Sequence, residues 1–536
     1  MTLLEFMPVL MFAGLVVFMV FGYPVSFSLG AVGLFFGFIS IELGYFDFNF
    51  LQAIPGRVFG SIIANELLLA IPFFTFMGAI LEKCGLAEDM LESMGQLFGP
   101  VRGGLGYSTI IVGFILGAIT GTVAAQVIAM ALITMPVMIR YNSNMRYATG
   151  VLAASGTITQ LVPPSLVLVV LADQLGRSVG DMYLGAWGPS LMQIALFAGY
   201  TFLLSVINPA AMPPVPRTLT GWPLFVKSMW GIIPSAVLIF LVLGTIMMGL
   251  ATPTEAGAMG TIGSILLAVV RNAPLTRFDK WVFGIGVTAA LAGVAIGMVA
   301  FKSPAFQAAF SVMFAAIVWL CWRAWQDEAL RNLIIQALQM TMRITAMVAF
   351  ILVGATCFSI TFQGVDGNQW VEHLMSNLPG GVWGFLVVVN LFVFFLAFFL
   401  DFFEIAFIIV PMLAPVAQKL LEPVVGADAA LIWFGVMLCV NMQTSFMHPP
   451  FGFALFYLRS VTPKEIPSSD IYWGAIPWVV LQLIMVVLVI AFPVSVTYFL
   501  DNTPKMDPSQ VKIELVAPAE EEAAPPVFGA PPPARN

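Results

Sequence analysis

The sequence predicts an all-α fold: a polytopic helical membrane protein with two inverted-topology repeats, each carrying a re-entrant hairpin and a broken helix. Three observations predict it. Of the 536 residues, 60% are hydrophobic and only 9% are charged, and the mean hydropathy is +0.99. Apolar stretches of about 20 residues, enough to cross a ~30 Å hydrocarbon core as helix, recur along almost the whole chain. Two distant segments also share a pattern. "GTITQLVPPS" (156–165) resembles "NMQTSFMHPPFG" (441–452), and each is followed at nearly the same spacing by an aspartate motif, "DMYLGAW" (181–187) or "DIYWGAI" (470–476).

Taken in order, residues 1–56 read as an N-terminal helix pair that forms part of a scaffold. The first apolar stretch, Leu4 to Phe21, has no basic flank before it and no small-residue cleavage site after it, so a retained span is expected. Residues 57–207 make the first repeat, with a long span at 58–81, a hairpin at about 105–139 centred on "ITGTVAAQ", and a broken helix at about 147–175. Residues 208–334 are connecting helices with an extra helical pair at about 281–323; being paired, it preserves the topology. Residues 335–499 repeat the plan, with a long span at about 338–360, a hairpin at about 382–421 centred on "FLDFFEIA", and a broken helix at about 430–460. The acidic, proline-rich tail, 500–536, holds too few apolar residues to fold and is expected to be disordered.

Orientation follows from lysine and arginine, which are enriched in short cytoplasmic loops. Lys83, Arg102, Arg140, Arg146, Arg217, Lys227, Arg271, Arg277, Lys280, Arg323, Arg331, Arg459 and Lys464 can share the cytoplasmic side, with Arg57, Arg177, Lys302 and Lys419 as exceptions. The arrangement requires both hairpins to enter and leave on one face, the first open to the cytoplasm and the second to the exterior. Both termini are then outside. The two repeats acquire opposite topology, which is the plan of secondary transporters whose sites lie where discontinuous helices meet.

The adjacent prolines explain the break. Proline lacks an amide donor and clashes with the preceding turn, and it pushes the residue before it towards extended geometry. Non-helical backbone at membrane depth must be buried in protein or line a cavity. The freed carbonyls of Thr159, Gln160, Leu161 and Val162, together with the hydroxyls of Ser155, Thr157, Thr159 and Ser165, are suited to a hard cation, which prefers oxygen ligands. The plainer alternative is a kink satisfied by neighbouring hydroxyls. Its recurrence in two repeats favours an ion or substrate site.

Other residues carry structural readings. Gly113, Gly117 and Gly121 form a small-residue ladder suited to close helix packing. "TPTE" (252–255) fits a capping box with proline at the first helical position. Asp181 and Asp470 read as helix caps. Asp401 could cap the helix that follows, yet a carboxylate inside a membrane is functional by default. Four scattered cysteines and two histidines, His373 and His448, form no metal, disulfide or nucleophile pattern, so enzymatic chemistry is not expected. The net charge of −7 is spread over loops and the tail, and without a basic block no nucleic-acid partner is expected.

These residues resemble the large membrane subunit of tripartite ATP-independent periplasmic (TRAP) transporters. The carriers are "LLLAIPFFTFMGAILEKCGLAEDM" (67–90), "GAITGTVAAQ" (117–126), "GTITQLVPPS", "GLATPTEAGA" (249–258), "LDFFEIAFIIVPMLAPVA" (400–417) and "NMQTSFMHPPFG". The resemblance implies an elevator-type, sodium-coupled importer of a small organic acid in the bacterial inner membrane, with sodium as coupling ion and no other cofactor. It also implies two partners: a small four-helix membrane subunit and a periplasmic solute-binding protein. By position, one sodium or substrate site would comprise Thr120, Gly121, Thr122, Ser155, Gly156, Thr159 and Pro163. The other would comprise Asp401, facing Asn441, Gln443, Thr444, Pro449 and Pro450. The family more often has serine where this chain has Thr120 and Thr122, and less often a histidine at His448. The alternatives are an organic-anion permease of the same superfamily that works without a binding protein, and an ion channel.

Overall fold

The computed structural model describes residues 3–120, 122–300, 303–449 and 452–500, and every element among them is helical. Eleven of the described helices are long and apolar enough to cross a membrane, and a bent pair makes a twelfth candidate. Gly121, Pro450 and the tail 501–536 lie outside the described residues.

The N-terminal pair is α1 (Leu3–Val20) and α2 (Val25–Glu42). Short helical pieces and a π-helical stretch, Val58–Ile63, then lead through a 3-10 turn, Glu66–Leu69, into α3 (Ala70–Lys83). The single span expected over 58–81 is therefore bent, by 52°. The cause is Asn65, whose extended backbone (ψ 110°) stops one helix while its side chain accepts Leu67 N–H at 2.9 Å and starts the next turn.

After α4 (Leu86–Phe98) come α5 (Gly104–Thr120) and α6 (Val123–Arg140), an antiparallel hairpin. Both of its feet are tied to one segment. Gly103 N–H donates to Met212 O (3.3 Å) and Asn144 N–H to Ala211 O (2.8 Å), so the chain enters and leaves at the same end. The broken helix follows as α7 (Met145–Thr157), a 3-10 turn (Ile158–Gln160) and α8 (Leu166–Gln174), and then the long α9 (Val179–Ile207).

The connecting region holds α10 (Trp222–Ile239), α11 (Pro253–Asn272), α12 (Arg277–Ala300), α13 (Pro304–Gln326) and the 37-residue α14 (Glu328–Gly364). The capping box at α11 forms as expected, with Thr252 and Glu255 exchanging bonds and Pro253 at the first position. The extra pair, α12 and α13, is joined at one end by Asp279, which accepts Trp319 Nε1–H at 3.0 Å and pairs with Arg323 at 3.4 Å. Its apolar length otherwise faces outward. None of the α12 spanning window and only 11% of the α13 window is buried.

Past α15 (Gly367–Ser376), the order of the first unit recurs. A hairpin is made by α16 (Gly381–Leu396) and by α17 (Val410–Val425) with its preceding turns from Phe402. A second broken helix is made by α18 (Ala427–Met442), a 3-10 turn (Gln443–Phe446) and α19 (Phe453–Val461), followed by α20 (Ser468–Ala491). The window from Ala427 to Phe446 is 94% buried, which puts this broken helix at the centre of the bundle.

Four contacts fix the relative directions. Arg146 pairs with Asp470 at 2.9 Å, so α7 and α20 start at one end. Arg177, just before α9, lies 3.8 Å from Asp428, so α9 and α18 start together. Tyr147 and Thr201 meet at 2.9 Å, bringing the end of α9 to the start of α7, and Trp433 Nε1–H donates to Val489 O at 3.0 Å, bringing the end of α20 to the start of α18. The two segments of like element order therefore run in opposite directions. Where α7 crosses α20 the backbones touch. A Cβ at Gly150 would lie 2.2 Å from Gly474 O, and one at Gly474 would lie 2.2 Å from Arg146 O, so only glycine allows this approach.

Candidate functional site

The first junction forms where α5 lies along the broken helix. A Cβ at Gly113 would come within 2.8 Å of Ser155, and one at Gly117 within 3.1 Å of the Thr159 backbone, so the glycine ladder serves close packing here. Gln126, one turn into α6, holds the two elements together. Its amide donates to Gly113 O (2.6 Å) and Ser155 O (3.1 Å), and the Thr159 hydroxyl donates to its carbonyl oxygen. Thr159 also reaches Gly156 O at 2.8 Å. Thr120 ends α5, and Thr122 is the N-cap residue of α6 but makes no side-chain cap bond.

The carbonyls freed at the break have found protein partners. Gln160 O accepts from the Ser165 hydroxyl and from Cys439 Sγ (3.2 Å), and Leu161 O accepts from the Ser190 hydroxyl (3.3 Å). Hydroxyl donors at the break are what the plainer alternative, a kink satisfied by neighbouring hydroxyls, calls for; the Ser190 hydroxyl makes its shorter bond to Ala186 O at 2.6 Å. Ser165 also caps α8 by accepting Val167 N–H at 3.1 Å, and the buried Pro163 precedes Pro164 through a cis peptide bond. Among the described residues, the Ser155 hydroxyl and both amide atoms of Gln160 are buried here without a hydrogen-bond partner.

At the second junction Asp401 begins the return leg of the hairpin. It accepts Phe403 N–H (2.8 Å) and Glu404 N–H (3.2 Å) while Glu404 accepts Asp401 N–H (2.9 Å), a complete capping box. The same Asp401 lines a cavity of about 390 Å³ with Ser445 of the second break. Asn441 is turned elsewhere: its amide donates to Asn390 of α16, to the backbone oxygen at 2.7 Å and the side-chain oxygen at 3.0 Å, while its own Oδ1 is buried without a partner. Thr444 donates to Asn441 O at 2.8 Å. Pro449 is half-buried. The His448 ring stacks on Phe398, centroids 4.0 Å apart, with Phe394 edge-on at 4.5 Å.

Two glutamines that the sequence reading did not single out cross between the units. Gln193 of α9 exchanges amide bonds with Gln443 in the second break, at 2.6 and 3.2 Å. Gln482 of α20 donates at 2.9 Å to Thr157, the last residue of α7 before the first break. The signal was present in the spacing, since Gln193 follows Asp181 by twelve residues and Gln482 follows Asp470 by twelve. The aspartates themselves are not caps. Ser178 caps α9, and α20 starts after Pro467 without a side-chain cap; Asp181 and Asp470 sit in the first helical turns, where a negative charge suits the helix dipole and leaves Asp470 free to bind Arg146.

Long apolar helices, two of them interrupted where the interruption is buried in protein and met by a hairpin, define a multi-pass membrane transporter. Residues 12–495 match the family described as the tripartite ATP-independent periplasmic transporter, DctM component. The C4-dicarboxylate TRAP transporter large permease protein DctM of Rhodobacter capsulatus is 25% identical over 504 residues, covering 90% of this chain and 96% of that one. The sialic acid TRAP transporter large permease protein SiaM of Vibrio cholerae is 26% identical over 473 residues, 88% of this chain and 93% of its own. Among solved structures, the YdaH transporter of Alcanivorax borkumensis matches with a TM-score of 0.43 and 14% identity over 84% of this chain and 90% of that one, a likeness too loose to bear on the arrangement. The chain belongs to the DctM family of large TRAP permease subunits: it is a transporter component, not an enzyme.

Proposed function

We propose that this permease imports a small organic acid across the bacterial inner membrane, driven by sodium and by an elevator movement of the hairpins and broken helices past the remaining scaffold. It receives its solute from a periplasmic binding protein and works with a small four-helix membrane subunit, with both termini periplasmic. The observation that carries this reading is the pair of oppositely directed junctions, each a buried helix break met by a hairpin and each retaining buried oxygen without a partner: the Ser155 hydroxyl and Gln160 amide oxygen in one, Asn441 Oδ1 in the other. Neutral oxygens of this kind suit sodium as a transported ion. A positive charge moving inward gains about 2.3 kcal/mol per 100 mV, which supplies a driving force without nucleotide. Proteoliposomes holding both membrane subunits, supplied with loaded receptor, should accumulate solute on a sodium gradient alone. Equal uptake in sodium-free buffer without a proton gradient would refute the coupling.

A further inference from the structure

The cavity at the second junction has unusual walls for an acid transporter. It lies between Met19 and Val20 at the end of α1 and the hairpin tip from Ala397 to Asp401, with the second broken helix behind it. Its volume of about 390 Å³ is that of a small-ligand site, within the ~300–1,000 Å³ such sites usually occupy. Phe398, Phe399, Phe453 and Phe456 stand among its walls with further apolar side chains, and its polar side chains are Asp401 and Ser445. No lysine or arginine lines it among the described residues. Phe399 and Phe456 are 58% and 53% exposed among the described residues.

We propose that this cavity is the solute site and that it selects an organic acid with a single carboxylate and an apolar, ring-sized tail. The inference rests on the transporter reading above and names its substrate class. A carboxylate head placed at the Asp401 and Ser445 end needs a cation between it and the Asp401 carboxylate, and the coupling ion supplies that charge. The tail then lies among the phenylalanine rings, where apolar area leaves water and ring edges meet ring faces. A dicarboxylate would place its second charge against phenylalanine with no cation to receive it. A polyhydroxylated sugar acid would bury hydroxyls against the same wall without partners.

The test uses the purified complex of this chain with its small membrane subunit. Benzoate, succinate and N-acetylneuraminate are titrated in sodium and in choline buffer, with thermal stabilisation and calorimetry as readouts. Benzoate should bind and stabilise in sodium only, and the other two should not. Phe399→Ser and Phe453→Ser should each weaken benzoate binding about tenfold, the lower end of what a hydrophobic wall contributes to discrimination, while Phe399→Leu, which keeps an apolar wall and controls for folding, should lose much less. Succinate or neuraminate binding as well as benzoate, an absence of benzoate binding, or serine variants that bind benzoate within twofold of the parent would each overturn the proposal. Benzoate binding that ignores sodium would mark a crevice for lipid tails and overturn it too. Uptake separates this failure from that of the transporter reading. Sodium-driven uptake of succinate leaves the transporter intact and removes the substrate class, whereas benzoate that binds in sodium only but is not accumulated on a sodium gradient keeps the site and removes the sodium-driven import.

Discussion

Replacing Gln193 with leucine isolates one of the two amide links between the oppositely directed units. The change removes both bonds of the Gln193–Gln443 exchange, at 2.6 and 3.2 Å, and leaves the fully buried Gln443 amide without a partner. An orphaned buried polar group costs roughly 1–3 kcal/mol. Within membranes the measured coupling is smaller, averaging about 0.6 kcal/mol per interhelical bond with a maximum near 1.7, so two bonds predict a coupling of about 1–2 kcal/mol. Gln193→Leu and Gln443→Met should each destabilise by that order. The double variant, which replaces both amides by apolar groups of similar size, should recover most of the loss. The assay is a double-mutant cycle on reversible unfolding of the purified protein in mixed micelles. Additivity of the two single changes to within about 0.5 kcal/mol, the behaviour of independent sites, would refute the reasoning. Gln482→Leu, which breaks the single 2.9 Å bond to Thr157, should cost about half as much as Gln193→Leu.

Thr159→Val nearly keeps volume but deletes the hydroxyl that binds Gln126 and Gly156 O; it should lower stability by about 1–3 kcal/mol and raise the sodium needed for half-maximal uptake, and a stability loss with an unchanged sodium response would return the residue to a purely structural part. Gly117→Val should abolish uptake while the protein still reaches the membrane, because even a Cβ would stand 3.1 Å from the Thr159 backbone; wild-type uptake would show that the hairpin does not hold this register. Asp401→Asn keeps an N-cap acceptor for Phe403 and Glu404, so thermal stability should change by less than about 1 kcal/mol while sodium-driven uptake is lost; retained uptake would leave Asp401 as a cap alone. Cysteines placed at Asn144 and Ser509 should label oppositely with an impermeant reagent in cells with a permeabilised outer membrane, Ser509Cys reacting and Asn144Cys not, and the reverse pattern would invert the orientation.

The sequence by itself determined the helical membrane class, because 60% hydrophobic content and repeated apolar stretches leave no other way to satisfy a backbone in lipid. It also located both breaks, since the Pro163–Pro164 and Pro449–Pro450 pairs act through local stereochemistry that needs no partner. The capping box at Thr252 was legible for the same reason: all its atoms lie within one turn. What it could not assign was the destination of polar groups that bond across long separations. The Gln160 and Leu161 carbonyls, read as open to a cation, are taken up by Ser165, Cys439 and Ser190. Asn441 and Gln443 looked like neighbours of Asp401, yet they turn to Asn390 and Gln193 because a helix distributes successive side chains around its axis. The bend at Asn65 escaped notice because a lone asparagine in an apolar run carries no periodic signal. Nothing in the sequence sets the phenylalanines at 398, 399, 453 and 456 apart from the other apolar residues; only the folding of the hairpin tip against the second broken helix makes them walls of one cavity, since hydrophobicity fixes that a residue leaves water and packing alone fixes which residues it meets.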